Sequence, residues 1–473
     1  MVAIITERLK RKLINELMVD VDAPNSQYYV AIGKSEQWDS ADTVPTPTAS
    51  DFTSDTFRLS MQSMKIGEDV SLVVPRYNWS SGTQYSRFDT STVGHPTNPY
   101  YVITDENQVY VCLQVAKTAA GIDLPSTVQP TTTSATTPQQ TSDGYVWKYL
   151  YTLGASNASK FLSTNFMPVE YINPATDSAT LTALQREQRE IQAKAVKGQL
   201  LGIEVTDGGS GYDSTGPTVV ITGLQNRYDS AGGLSPSTAT ATASVFNGAI
   251  TKINVNDYGR FYEAAKIEFS GGGGTGAAAR AIVSTVGDDP RKNLGATAVM
   301  FNCKLTGDEG NTFQIENDYR QVALIRNPRT GPDSAPYSTP TINDPYYQQA
   351  PINQAQSSNC LRALKLATTS VAFTADKTIV GGTSGAQGYI DRVDSNRVYF
   401  HQNEQTGYGH FSSGEAVTEA NGSGSGSLDS VGAGFLDSAD VNIFTGEIMY
   451  IDNRASITRN LDQTEDIKVV IQF

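Results

Sequence analysis

Apolar and polar residues alternate along most of this chain, which is the two-residue period of half-buried strands. Val109, Val111, Leu113 and Val115 alternate with Tyr110, Cys112 and Gln114. Ile467, Val469, Ile471 and Phe473 alternate with Lys468, Val470 and Gln472, a strand that has to pair within its fold or with a partner because bare edges invite association. Tyr145, Trp147, Tyr149 and Tyr151 are spaced to line one face of the stretch 144–153, predicting a cross-strand aromatic ladder. Helical spacing is confined to two stretches. In 6–18, Leu9, Leu13, Ile14 and Leu17 share a face, predicting a helix that either packs on its own core or acts as a docking arm. After Pro174, Asp177 or Ser178 is placed to cap a second helix whose face carries Leu181, Leu184, Gln188, Ile191 and Ala195, a connector between two β regions. The expected fold class is mainly β: multi-domain antiparallel β sheets or a sandwich with few helices, plus inserted tandem β repeats.

The repeats occupy the middle of the chain. Ile203-Glu-Val-Thr-Asp207 returns as Ile253-Asn-Val-Asn-Asp257, displaced by 50 residues, and Gly211-Tyr212 returns as Phe261-Tyr262. TVVITG at 218–223 has its counterpart in KIEFSG at 266–271, and each copy ends in a small-residue strand, at 239–245 and 277–283. Two tandem β modules are expected over 198–287, a layout that resembles glycine-rich β repeats of phage tail and fibre proteins. A further small β module is expected over 369–432, with the tract 421–427 (NGSGSGS) as a flexible loop. The Thr/Ser/Pro/Gln-rich stretch 126–141 is too poor in apolar residues to pack.

Composition narrows the function classes. With 35 Lys+Arg against 49 Asp+Glu the 473-residue chain carries a formal charge of −14, so a nucleic-acid binder would need a local basic patch. No apolar run reaches the ~18–20 residues of a membrane span, and residues 1–18 lack the pattern of a secretory signal. Cys112, Cys303 and Cys360 are far apart and never in a C-x-x-C pair, which points to buried reduced thiols rather than disulfides or zinc ligands.

Chemistry-bearing patterns are thin. GGGGTG at 271–276 lacks the following Lys-Ser/Thr and leads into a strand, not a helix, so it is not a phosphate-binding loop. His95, His401 and His410 read as surface or loop histidines, with no serine elbow or second ligand beside them. Acidic pairs such as Asp288-Asp289, Glu316/Asp318 and Glu465-Asp466 read as solvated charge or caps in a chain this acidic. No catalytic, cofactor-binding or metal residues are expected. Trp38, Trp79 and Trp147 are expected to fill cores. Arg76 and Arg454, beside apolar runs, are placed for ion pairs either within the chain or at subunit contacts.

Five aromatic-rich segments succeed one another in a telling order: YYVAIGKSEQWD (28–39), VVPRYNW (73–79), SDGYVWKYLYTL (142–153), DYRQVALIRNP (318–328) and TGEIMYIDNRASITRNLDQTEDIKVVIQF (445–473). In that order they resemble the baseplate wedge subunit, the gene-product-eight family, of T-even-like contractile-tailed bacteriophages. The resemblance is carried by Gly33, Ser35, Glu36, Trp38, Pro75, Arg76, Trp79, Asp143, Gly144, Tyr145, Trp147, Tyr319, Arg320, Gly446, Glu447, Tyr450, Asn453, Arg454, Asp462, Gln463, Thr464 and Glu465. It implies a structural or interface role for these residues. The implied organisation is a β-rich wedge core in 1–197, 288–368 and 433–473, interrupted by the insertions 198–287 and 369–432. It further implies a non-enzymatic virion protein, assembled in the host cytoplasm into the tail baseplate, homodimeric and joined to other wedge proteins, with no nucleic-acid or membrane contact. Two alternatives belong to other classes. One is a tail-associated protein gripping host glycans through Tyr212, Tyr262 and Tyr408; the other is a polysaccharide-degrading enzyme built on an acidic pair.

Overall fold

The computed structural model describes residues 5–23, 26–67, 69–91, 95–134, 138–172, 176–193, 198–225, 236–284, 289–305, 318–330, 358–430, 434–456 and 465–473. Among the described residues strand accounts for 46% and helix for 12%, so the fold is mainly β with antiparallel sheets. It divides into two compact units: residues 1–11, 71–299 and 472–473, and residues 12–70 and 300–471.

In the first unit, a four-stranded antiparallel sheet runs in the order Tyr101–Ile103, Gln108–Gln114, Val146–Thr152, Gln139–Gln140. One face buries Tyr110, Cys112, Tyr145, Trp147 and Tyr149; the other buries Val109, Val111, Leu150 and Tyr151. The expected ladder of four aromatics therefore keeps three. Val109 pairs with Tyr151 while Tyr110 pairs with Tyr149, so Leu150 is a bulge, and the extra residue turns Tyr151 to the opposite core.

The repeats do not form two separate modules. Strands Gln199–Ser210, Thr218–Gln225 and Thr240–Phe246 of the first copy interlock with Ala249–Asp257, Tyr262–Ser270 and Thr275–Ser284 of the second. The two middle strands pair with each other, Ile221 opposite Ile267. Each copy's third strand then joins the other copy's first, as in Ala243 opposite Ile253 and Ala281 opposite Ile203. The two first strands lie side by side, tied near their ends by Leu200 N–H to Tyr258 O (2.8 Å) and Tyr212 N–H to Gly248 O (3.0 Å), which rounds the six strands into a barrel-like ring. The 50-residue period extends to the backbone: Gly209 and Gly259 both take positive φ, as do Gly211 and Phe261. At Gly209 the need for glycine is steric as well, because a Cβ there would lie 2.4 Å from Thr275 O.

In the second unit, strand Tyr28–Gly33, buried along its whole length, sits between Met61–Ile66 and Gln321–Arg326, and Glu447–Asn453 flanks the latter. Residues 362–428 form a separate ring of six strands: Arg362–Val371, Arg397–His401, Gln387–Asp394, Thr378–Gly381, Ala416–Ala420 and Ser425–Leu428, the last returning to the first. The second half of the tract expected to be a flexible loop, 425–427, belongs to the sixth strand, while 421–424 turns between strands as expected. That half can pair because it is made of small residues: a Cβ on Gly426 would stand 2.4 Å from Thr368 O. The strand Glu465–Gln472 lies beside Ala298–Leu305 and buries Ile467 and Val469.

Helices differ from expectation in detail. Glu7–Val21 is helical, but only Ile14 of its apolar face is buried; Leu9 and Leu13 remain about half exposed. Ser178–Thr180 is a short 3-10 turn, and the α-helix starts later, at Ala183–Ala193. Its start is a reciprocal capping box, in which Gln185 N–H donates to Thr182 Oγ1 (3.2 Å) and Thr182 N–H donates to Gln185 Oε1 (2.9 Å). Asp51–Leu59 is a helix the apolar period does not announce, since Phe57 is its one buried side chain; Ser50 caps it.

Candidate functional site: two clusters of motif residues

Two sets of the motif residues come together, one inside each unit. In the first unit the centre is Asp143. Its carboxylate accepts hydrogen bonds from Thr127 N–H (2.8 Å), Val128 N–H (3.0 Å), Ser126 Oγ (3.1 Å), Tyr145 N–H (3.2 Å) and Thr141 Oγ1 (2.5 Å). Partial burial opposes ionisation, yet these donors together hold the Asp143 carboxyl below its ordinary range. Gly144 comes next at φ +93° and swings the chain into the aromatic strand. Tyr145 stacks on Trp147 at 5.7 Å, Tyr85 meets Trp147 edge-on at 5.4 Å, and Tyr145 OH donates to Leu124 O (2.6 Å). Trp79 is half-buried and donates its indole N–H to Ser126 Oγ (3.2 Å). The polar stretch after Ser126 is thus pinned at its ends by hydrogen bonds where apolar packing is lacking. Pro75 closes its strand opposite Phe166, and Arg76 donates to Asn78 Oδ1 (2.8 Å) and Ser163 O (3.0 Å).

In the second unit the centre is Arg320, whose guanidinium grips the Asp42 carboxylate at 2.9–3.0 Å, 278 residues away in sequence, and donates to Ser35 O. Its own N–H donates to Gly33 O and Lys34 O. Gly33 is required by packing, because a Cβ would lie 2.6 Å from Ser60 O. Trp38, half-buried, donates its indole N–H to Arg454 O (3.1 Å), and Arg454 N–H donates to Arg320 O (2.9 Å). The Arg454 guanidinium is 5.9 Å from the Tyr319 ring and 3.8 Å from Asp452, an intrachain pairing. Tyr319 OH donates to Glu465 Oε1 (2.6 Å), and Gln321 donates to Asn453 Oδ1 (2.9 Å). Gly446 takes φ +77° beneath Pro328; Glu447 is exposed, and the half-buried Tyr450 pairs with Leu324. Asp462, Gln463 and Thr464 lie outside the described residues.

Ser35 and Glu36 lead to a group that the sequence pattern does not reveal. His401 is a fully buried strand residue, not a surface or loop one. Its Nδ1 is 2.8 Å from Asp391 Oδ2, and its Nε2 makes a 3.2 Å ion-pair contact with Glu36 Oε2. Ser35 Oγ donates to Asp391 Oδ1 (2.5 Å), and Lys34 Nζ donates to Glu36 Oε1 (2.9 Å). Burial alone would lower the His401 pKa, but the two carboxylates outweigh it and push it up to about 10. Glu36, also resisted by burial, is driven well below the carboxylate range by His401 and Lys34. Asp391 points inward because it is a bulge: Ile390 pairs with Phe400 and Arg392 with Tyr399. Simple alternation puts Asp391 outside with Tyr389, so periodicity carries no signal for it. Chemically this is a charge-balanced internal network. Ser35 is bonded to the acid and not to the imidazole, so it lacks the base that would activate a nucleophile.

The remaining candidates are spread through the fold. Cys112, Cys303 and Cys360 are all buried, and burial pushes the Cys112 and Cys360 thiols up, away from reactive thiolate. His410 is exposed and His95 is half-buried beside Tyr101. Tyr212 and Tyr262 are core residues of the interlocked repeats, and of the three candidate glycan-contacting tyrosines only Tyr408 is exposed. Among the described residues no group of His, Cys, Asp and Glu is arranged to hold a metal, and no helix is long and apolar enough to cross a membrane. No protein-family model matches the chain, and no curated protein matches it.

Proposed function

We propose that this chain is a structural virion protein, a baseplate wedge subunit of a contractile phage tail, acting by protein–protein assembly and by rearrangement when the tail contracts. The observation that carries the reading is the ordered series of motif segments, from GKSEQW at 33–38 to the segment 445–473. Its geometry supports a scaffold role: Trp38 and Arg454, 416 residues apart, and Arg320 with Asp42 are knitted into one framework whose polar groups face each other. In this reading the subunit is a homodimer that joins other wedge proteins of the same phage. It uses no cofactor and touches neither nucleic acid nor membrane, and its interfaces fit two plate arrangements of modestly different energy. The test is native mass spectrometry of the purified chain, alone and co-expressed with the neighbouring wedge proteins. A dimer that captures one or more of them is expected. A monomer that binds none overturns the proposal.

A further inference from the structure

The first unit contains a cavity of about 590 Å³ where the two first strands of the repeats face the loops around 84–89 and 115–123. That volume lies within the ~300–1,000 Å³ range of small-molecule sites. Its charges can be paired off. Arg87 binds Glu204 at 3.0 Å, Arg280 binds both Glu204 and Asp89, and Lys117 binds Asp123. Every lining acid is thereby matched to a base, and one cation is left over. The Lys252 ammonium has no hydrogen-bond or ion-pair partner among the described residues. It reaches the cavity because its strand bulges there: Val245 pairs with Ile250 and Ser244 with Lys252, leaving Thr251 as the extra residue on the same wall. Burial, and secondarily the neighbouring Lys117, lowers the Lys252 pKa, which marks its ammonium as under-compensated. At the rim stand the exposed amides of Gln84 and Asn98, groups suited to hydroxyls.

We propose that this cavity binds a small hydroxylated anion, a sugar bearing a carboxylate or a phosphate, with Lys252 as its charge partner and the rim amides holding its hydroxyls. The site is independent of the assembly role. A half-buried lone cation destabilises the unliganded fold, and in a chain of net charge −14 a cationic cavity selects anions locally rather than through the overall field.

The test titrates the full chain by calorimetry with glucuronate, glucose 6-phosphate, inorganic phosphate and neutral glucose. At least one anionic sugar is expected to bind, more weakly as salt rises, with glucose about tenfold weaker or worse, the value of roughly one lost charge contact. Lys252→Met and Lys252→Gln should each lose about tenfold in affinity for the anionic sugar, while the unfolding temperature stays level or rises because the unpaired charge is gone. The proposal is overturned if neither anionic sugar binds, if glucose binds as well as they do, if inorganic phosphate binds as tightly as the sugar phosphate, or if both variants keep full affinity.

Discussion

Replacing His401 by Gln tests the buried charge network most directly. Gln keeps the approximate volume and one hydrogen-bond donor but removes the positive charge between Asp391 and Glu36. The sign of the pH effect is set by the direction of the shift. A histidine whose pKa rises from 6.5 to about 10 on folding adds stability that is complete below pH 6.5 and is lost as pH climbs towards 10. At about 1.4 kcal/mol per tenfold change in proton affinity, that rise is worth about 5 kcal/mol at its ceiling. Removing one member of a buried ion pair costs about 3–5 kcal/mol by independent reasoning, because the remaining charges stay buried and unpaired. The two figures agree, so the variant should lose about 3–5 kcal/mol at pH 7. Glu36 sets the other limb: its lowered pKa adds stability above its ordinary value of 4.5 that is lost on acidification. Amide hydrogen exchange of peptides spanning 387–402, corrected for intrinsic rates, reads the local free energy without assuming that two units unfold together. Wild-type protection should decline between pH 6.5 and 9, and the variant should show lower protection that is nearly flat over that window. Equal protection of the two proteins at pH 7, or a wild type as protected at pH 9 as at pH 6.5, would refute the assignment of a buried imidazolium.

Three further outcomes are expected of the clusters. Asp143→Ala removes the acceptor for five donors around residues 126–145 and should cost about 2–4 kcal/mol; because the Asp143 pKa is lowered, wild type should also lose stability on acidification through and below the ordinary carboxylate range, a loss absent from the variant, as thermal melts from pH 7 to 3 would show. Gly33→Ala forces a Cβ against Ser60 O and Met61 Cα, both backbone, and should cost about 1–3 kcal/mol by urea unfolding; an unchanged midpoint would mean the strands can part. Arg320→Lys keeps the charge but breaks the two-pronged grip on Asp42, whose carboxylate also receives the Trp38 N–H; a loss of about 1.5–3 kcal/mol and a shift in Trp38 emission are expected, and wild-type stability would show the fork to be dispensable.

Strand content is legible in the sequence because alternation is local: the runs 109–115 and 467–473 are strands at the expected places. Alternation has no means of expressing an inserted residue. Bulges at Leu150 and Asp391 each reverse the facing of the residues beyond them, and the second carries the whole His401 network. The repeat displacement is equally plain, yet it says nothing of which copy a strand pairs with, since exchange and self-pairing preserve the same period. The glycine-serine tract at 421–427 has a composition too plastic for a strand, yet its second half pairs as one because the space beside Thr368 admits nothing larger than Gly426. Of the motif clusters, the members can be named from order along the chain, while their partners cannot. Asp42, Asp391 and Ser126 sit in unremarkable local sequence and matter only through contacts that the fold makes.

The inward use of the motif residues bears on where assembly contacts would lie. A side chain that contributes strongly to binding is one that is accessible alone and desolvated on association. Trp147, Tyr319 and Arg320 are already buried, and Gly33 and Gly446 serve backbone packing, so their substitution would act through the fold. Trp38, Trp79 and Arg454 are only half-buried, but the two indole N–H groups and the Arg454 backbone are bound inside the chain, and the Arg454 guanidinium lies 3.8 Å from Asp452. The surface offers different candidates. Phe444 and Tyr408 are 65% and 53% exposed, and both line one small cavity beside Leu361 and Phe400. A pair of accessible rings beside a recess lined by apolar side chains together with Arg362, His401 and Gln402 has the make-up of a binding anchor. The same segment is held rigid from behind, since Arg58 donates to the carbonyls of Ile443, Thr445 and Gly446. Rigid backing lowers the entropy lost on association. In this fold the motif residues at the two cluster centres serve the frame, and under the proposed assembly role a neighbouring subunit would have to be met by other, exposed side chains.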